Sequence, residues 1–598
     1  DNKQGERLLA VIFYNTKING KNYRLANRKD KEIFNEAIKK YNDLKNEQIG
    51  DFSAIPDELL PPVGTLGIRV NNYGYKKWGS LFNPREIVAL TTFCKYIRQA
   101  YKEIQKQVNN EEYSKAVITY LACSLSNLSR KLNTLAVWNG TIQNAFGRQA
   151  IAMMWEYPEG NSLSESAGSW RTYLDSLSNG LEGINFNNYS KGIVKGSASK
   201  LNVTDSYYNA IISDPPYYDA VPYSHLSDFF YVWLKRCINF LYPEIFVTEL
   251  TPKRSEIIQD TFNKKTKDVF EQKMEEIFLE FDRVLRKNGL IILIYAHKTT
   301  EAWETLITGL LHKDLIVTAS WPLHTERPAR LRAQKSAALA SSVFIVCRKR
   351  TIKEEGFLDD VEKELKEVLY ERLNYFWSQG IRGADFFMSA IGPAVQVFGR
   401  YKKVQTYEGK ELTVGDLLTK VRAIVSDFAI ERIVKSKGSQ EIDDESRFYL
   451  LWRWAYGSSS MPAGEVIPMA QSLGVEFNEL VSKSGLLQKK GQDVSLKSPF
   501  DRKKEKNMGE PDNGKSSPLI DILHRAVNLW QEGDRQELSN FISRACHNGS
   551  DTMEQLAQSI IDVLPDNDKE ATLYVNFLTG MRQLPAAKEE SKYIQEEF

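Results

Sequence analysis

The chain has 598 residues, and its 79 Lys and Arg against 77 Asp and Glu leave a net charge of only +2, so a globally basic nucleic-acid binder is excluded and any basic surface must be local. This length exceeds a single hydrophobic core and implies several domains. The longest strongly apolar run, Leu290–Ala296, is far shorter than a bilayer span, and no apolar signal-peptide core stands near Asp1; the expectation is a cytoplasmic protein with no membrane contact. Five widely spaced cysteines without a CxxC pair read as reduced thiols, and no spacing of Cys or His suggests a metal site. The first residue is Asp1 rather than Met, which reads as a fragment, a processed product or an expressed part of a longer chain.

In chain order, residues 1–80 form a mixed α/β segment, with a strand-like run at Leu8–Tyr14, a charged helix at Lys29–Asn46 and a polar stretch bearing Pro and Gly. Residues 81–190 are mainly helical, apolar positions recurring every three or four residues through Val88–Val108 and Ala116–Leu135, and are expected to pack on a catalytic core. That core is expected at 191–350. "GIVKGSASKL" (192–201) reads as strand then turn, and "YNAIISDPPY" (208–217) as a buried strand then turn. Residues 269–289 make an amphipathic helix stopped by Lys287, Asn288 and Gly289, followed by an apolar strand (290–297) and a helix (300–314). Two further apolar strands, in "LIVTASWPL" and "SSVFIVCRK", close the segment. Helices alternating with fully apolar strands predict a doubly wound α/β sheet, with the last two strands as an antiparallel edge hairpin. Residues 351–500 read as a mixed α/β accessory or target-recognition region, 501–518 as a charged linker rich in Pro, Gly and Ser, and 519–598 as a helical module. No internal repeat is visible.

Ligands of such sheets sit at the carboxyl ends of the strands, where Asp214 falls. Pro215 and Pro216 stiffen the turn and remove two N–H groups, so a carboxylate and a rigid carbonyl stand side by side as a double acceptor for an NH₂ group. The ring of Tyr217 can stack on a planar substrate, and a base inside a duplex must be flipped out to reach it. A proline turn capping a core strand also accounts for the bare motif.

"DPPY" is the pattern of amino-methyltransferases. Together with "DPPYYDAVPYSHLSDFFYVWLKR" (214–236), "FGRQAIAMMW" (146–155), "AIGPAVQVFGRY" (390–401) and "ESRFYLLWRWAYG" (445–457), it resembles the large adenine-specific DNA methylases, which often carry an upstream zinc ribbon and in some cases are linked to phage defence. The resemblance implies a Rossmann-like methyltransferase sheet, S-adenosyl-L-methionine as cofactor and double-stranded DNA as partner. It gives Asp214 and the Pro215 carbonyl the target amine, Pro216 the stiffening of the turn and Tyr217 the base. An acid in first place favours adenine N6 over cytosine N4.

The family's Phe-x-Gly-x-Gly loop, which cradles the cofactor, is absent here; either that half has been lost by truncation or a partner polypeptide supplies it. "LFNPREIVAL" (81–90) resembles the segment beside the methionine end of the cofactor, pointing to Asn83 and Pro84; a helix cap followed by Pro explains the same residues. Ser197 in "KGSAS" falls where such enzymes contact the cofactor adenine, or is part of a plain turn. The loop 324–337 carries Arg327, Arg330, Arg332 and Lys335, a candidate phosphate-binding patch or a solvated loop. Phe229–Trp233 read as core packing, and Arg447, Trp452 and Trp454 as either a recognition surface or a packed interface. The leading expectation is the catalytic half of an adenine N6 DNA methyltransferase. Its rivals are a non-catalytic DNA-binding subunit of a phage-defence or restriction-modification complex and an RNA or protein-amide methyltransferase.

Overall fold

The computed structural model describes residues 5–15, 18–147, 150–166, 168–183, 194–216, 221–258, 260, 264–295, 300–324, 341–350, 354–434, 442–482, 485–505, 507–511, 517–546, 550–565 and 567–581. The chain divides into two compact units, residues 1–195 with 218–270 and residues 196–217 with 271–598.

The first unit is mostly helical. A hairpin of β1 (Ala10–Asn15) and β2 (Ile18–Leu25) precedes α1 (Arg28–Leu44), and the two-residue strands β3 (Gln48–Ile49) and β4 (Phe52–Ser53) pair with each other. The long helices α2 (Pro84–Val108) and α3 (Glu111–Ser129) follow, then the short pair β5 (Val137–Trp138) and β6 (Ile142–Gln143), α4 (Trp170–Glu182) and α5 (Tyr223–Ile238). Local chemistry sets the helix starts. Asn27 and Asn83 each head a reciprocal capping box, with Asp30 and Glu86 in the third helical position, and Pro84 occupies the first turn, where its missing N–H costs nothing. The core gathers Phe82, Ile87, Leu90, Leu125, Leu128, Phe229, Val232 and Trp233. Phe229 and Trp233 pack as expected: both rings lie 5.3 Å from Phe82, and Phe146 lies 5.1 Å from Phe229.

The second unit holds one four-stranded mixed sheet. Its elements are β7 (Tyr208–Ser213), α6 (Lys267–Val284, in this unit from Glu271), β8 (Leu285–Tyr295), α7 (Thr300–His312), β9 (Leu315–His324) and β10 (Ser341–Lys349), with strand order β7-β8-β10-β9. β7 and β8 run parallel, while β10 runs antiparallel to both β8 and β9. The hairpin is therefore present, with β9 at the edge and β10 inserted beside β8.

One face of the sheet, carrying Ile291, Leu293, Val343, Ile345 and Cys347, is buried, and Tyr295 meets Trp303 of α7 at 5.1 Å. On the other face Ile292, Ile294, Phe344 and Val346 of the central strands are half-buried. Ile212 is 70% exposed, so β7 is not the buried strand its apolar sequence predicts. A second correction concerns 269–289: the helix ends at Val284, and Leu285–Gly289 already belong to β8, Leu285 being buried opposite Tyr208.

Beyond Arg350, β11 (Glu355–Phe357) and β12 (Lys403–Gln405) pair in parallel around α8 (Leu358–Ser378) and α9 (Gly383–Phe398). Then come α10 (Val414–Ile433), α11 (Asp444–Tyr456), β13 (Met461–Pro462), α12 (Ala463–Ser472), α13 (Phe477–Leu480), β14 (Leu487–Lys490) and β15 (Asp493–Leu496). The helices α14 (Leu519–Glu532), α15 (Arg535–Ala545), α16 (Asp551–Val563) and α17 (Lys569–Met581) complete the unit. Trp452 and Trp454 are buried and Arg447 pairs with Asp427 and Asp444, so α11 is a packed interface. Residues 501–518 are not a free spacer. Arg502 is buried and bonded to Asp521 at 2.6 Å and Glu505 at 3.0 Å, and Met508 is buried as well.

Candidate functional site

Ser213, the last residue of β7, pairs with Leu293, so Asp214 leaves the sheet at its carboxyl edge. Two prolines follow, neither able to donate to a ladder, and strand pairing stops there. Asp214 is exposed and Pro215 buried. Among the described residues, neither the Asp214 carboxylate nor the Pro215 carbonyl has a hydrogen-bond partner. The turn thus places an exposed carboxylate and, on the next, buried residue, an unbonded carbonyl at the end of a parallel strand. Tyr217 lies outside the described residues, and so do Arg327, Arg330, Arg332 and Lys335.

The other expected residues have local structural roles. Ser197 sits in a turn, its carbonyl accepting from Lys200 N at 3.1 Å and its hydroxyl 2.9 Å from Ser199. Leu201 is tied to the last turn of α6: its N–H donates to Glu280 at 2.6 Å, and its carbonyl accepts from Arg283 at 3.1 Å. That anchors the turn at the amino-terminal end of β7, a strand's length from Asp214. Asn83 is only 1% exposed, and its polar atoms are spent. It caps α2 by accepting from Glu86 N at 3.0 Å, and its amide donates to Glu159 at 3.0 Å and Tyr157 at 3.3 Å. Pro84 belongs to the other unit from Asp214 and fills the first position of α2.

These placements decide whether the described residues fit S-adenosyl-L-methionine. They do not. The cofactor needs backbone that closely approaches it, yet no glycine directly follows any strand of the four-stranded sheet. The polar atoms of Asn83 are engaged within its own unit, and Ser197 is held in a turn by Lys200 and Ser199. Among the described residues, no group of three or more His, Cys, Asp or Glu is arranged to hold a metal ion.

Several polar groups in the first unit gave no local sequence signal. α5 opens after Pro222, which cannot cap it; Glu256 does so instead, accepting from Ser224 N at 2.9 Å and from its hydroxyl. Asp228, fully buried on the next turn, accepts from Thr251 N at 2.9 Å and from Lys253 at 2.6 Å. A helix lacking an N-cap in sequence signals a remote acceptor without saying which one. Near Asn83, complete burial raises the Glu86 carboxyl well above its ordinary range, reinforced by the charge of Glu159. Burial, reinforced by the charge of Lys253, lowers His225 below its ordinary value.

Set against protein-family models, curated proteins and solved structures, the chain matches none of them. Among the described residues, no helix is long and apolar enough to cross a membrane.

Proposed function

We propose that this chain is the acceptor half of an S-adenosyl-L-methionine-dependent DNA methyltransferase that modifies the N6 amine of adenine, working in the cytoplasm with a partner polypeptide that supplies the glycine loop and holds the cofactor. One observation carries the reading: the exposed Asp214 carboxylate and the unbonded Pro215 carbonyl sit side by side at the carboxyl edge of the β7/β8 parallel pair. A parallel pair continued by an antiparallel hairpin agrees with a Rossmann-like methyltransferase sheet. A partner is supported by β7, which has no charge or proline within it, is bonded only to β8 among the described residues, and has Ile212 facing solvent.

In this reading the chain's own work is orientation and electrostatics. The two acceptors take both N–H groups of a flipped adenine, which aims the nitrogen lone pair away from them. The Asp214 charge then stabilises positive charge as it grows on that nitrogen. A second reading, a non-catalytic DNA-binding subunit of a phage-defence or restriction-modification complex, is favoured by the missing cofactor cradle. Radiolabelled S-adenosyl-L-methionine incubated with duplex DNA, the chain and a co-expressed polypeptide bearing the glycine loop separates the two. Label on adenine that disappears in Asp214→Ala supports the methyltransferase. DNA binding without label in any combination leaves the binding subunit.

A further inference from the structure

Between Leu59 and Lys77 the chain carries Arg69, Lys76 and Lys77 and no acidic residue, a local excess of three positive charges in a protein whose total is +2. All three cations are exposed, and none forms an ion pair among the described residues. The nearest upstream acids are committed elsewhere, Asp57 to Arg236 and Glu58 to Lys235 and Arg236.

Tyr73 lies in the same stretch as these charges and forms an exposed aromatic pair with Trp155. Trp155 is 75% exposed and Tyr73 43% exposed, and their rings meet edge to face at 5.7 Å. The backbone holds them together: Ile151 N donates to Gly67 O at 2.7 Å and Arg69 N to Ile151 O at 2.9 Å, so 67–69 and 151 run side by side and bring Tyr73 and Trp155 onto one surface. Gly74, at φ +92°, ends the short helical turn holding Tyr73 in a conformation that favours glycine. Gly67 lets the same loop close on α5, because a Cβ there would lie 2.6 Å from Pro222 Cγ. The loop therefore packs directly on Pro222, which precedes α5.

An exposed tryptophan costs solvation, whereas a planar ring beside unpaired cations matches a stacked base beside phosphates. We infer that Tyr73 and Trp155, with Arg69, Lys76 and Lys77, bind DNA at an unstacked base, the base taking the exposed ring face and the cations the flanking phosphates. The choice of DNA rests on the proposed function, in which flipping the target leaves its partner base unstacked.

Fluorescence anisotropy of the full chain tests this, using a duplex with one unpaired base, the same duplex fully paired, and RNA of the same sequence. The wild type is expected to prefer the unpaired-base duplex. Trp155→Ala is expected to weaken that complex roughly tenfold, as loss of one stacking contact does, while Trp155→Phe retains most of the affinity. K76Q/K77Q is expected to weaken paired and unpaired duplexes alike and to flatten the salt dependence. Wild-type binding that Trp155→Ala leaves unchanged overturns the inference without touching the methyltransferase reading. Trp155-dependent binding with no adenine labelling sustains the inference and sinks that reading. A preference for RNA, or a change of sedimentation in Trp155→Ala without a change in DNA affinity, overturns it in favour of an RNA or a protein partner.

Discussion

Arg236 offers the sharpest test of how the first unit is held together. It is fully buried on α5, and its guanidinium spends its donors on a loop almost two hundred residues away in sequence. Nε donates to Ser53 O at 2.6 Å, one terminal nitrogen to Glu58 at 2.8 Å and to Val232 O at 2.8 Å, and the other to Ile55 O and Asp57, each at 3.3 Å. Lys235 adds a 2.9 Å contact to the same Glu58 oxygen. In Arg236→Ala, Glu58 stays buried with half its positive partners, and two loop carbonyls lose their donor. Breaking a buried pair in this way costs about 3–5 kcal/mol. Arg236→Lys is expected to fall between, since a single ammonium cannot reproduce the planar fork.

Because the chain contains two compact units, a whole-protein melt mixes transitions, and hydrogen exchange of α5 peptides is the cleaner assay. The loss corresponds to a drop in α5 protection of roughly a hundredfold to a few thousandfold. The pH dependence carries a second signature. Burial alone would raise the Glu58 carboxyl, but Arg236 and Lys235 hold it below its ordinary value. Its stabilisation is thus present above the unfolded carboxylate value near ~4.3 and fades as pH falls through the lower folded one. Wild-type α5 should lose protection over that acid range, and Arg236→Ala should lose less of it. Protection in Arg236→Ala within about threefold of wild type at pH 7 would refute the ledger of buried bonds.

Two further substitutions probe other joints. Gly392 of α9 faces Ser320 of β9, and a Cβ there would lie 1.8 Å from the Ser320 hydroxyl and 2.2 Å from its Cβ. Gly392→Ala should therefore destabilise the second unit by about 1–3 kcal/mol in urea unfolding; Ser320→Gly should restore it and Ser320→Ala should not, and equal rescue by both would contradict the contact. For Glu86, a folded pKa above the unfolded one means that stability is lost as pH rises from the unfolded value toward the folded one. Glu86→Gln keeps the capping box and removes the buried charge, so it should unfold at higher urea than wild type at pH 8 and show a flatter pH profile; a loss at pH 8 would show the ionised carboxyl to be useful there.

What could be read in the sequence was local. The Pro215–Pro216 turn after an apolar strand placed Asp214 at a strand end without tertiary information, and Asn83-Pro84 announced a helix start, to which the structure adds Glu86 as the other half of a capping box. Apolar composition cannot report a missing neighbour, which is why Ala210–Ser213 read as buried although Ile212 lies open. Lys287-Asn288-Gly289 had the chemistry of a helix stop, but pairing with β7 and burial of Leu285 drew the residues before Gly289 into a strand. The cap of α5 was illegible because Glu256 lies 32 residues beyond Ser224. The anchoring of 501–518 was illegible for the same reason, since Arg502 finds Asp521 only in three dimensions.

The two edges of the four-stranded sheet bear on the acceptor turn in opposite ways. On the β9 side, Pro322 lacks one donor and α9 packs against the strand with Gly392 at close approach to Ser320, which makes that edge a poorer template for pairing. β7, at the other edge, has none of these protections and is bonded only to β8 among the described residues. Asp214 follows β7 directly, so the acceptor turn is held no more firmly than a strand paired on one side. In the proposed function a strand laid along β7 by the partner would do two things at once: bring a cofactor-binding loop to the carboxyl edge, and fix the register of β7 and so the aim of the Asp214 carboxylate. The absence of the glycine loop from the sequence and the lack of a second strand beside β7 among the described residues then have one cause, and catalysis would require the second polypeptide for orientation as much as for the methyl donor.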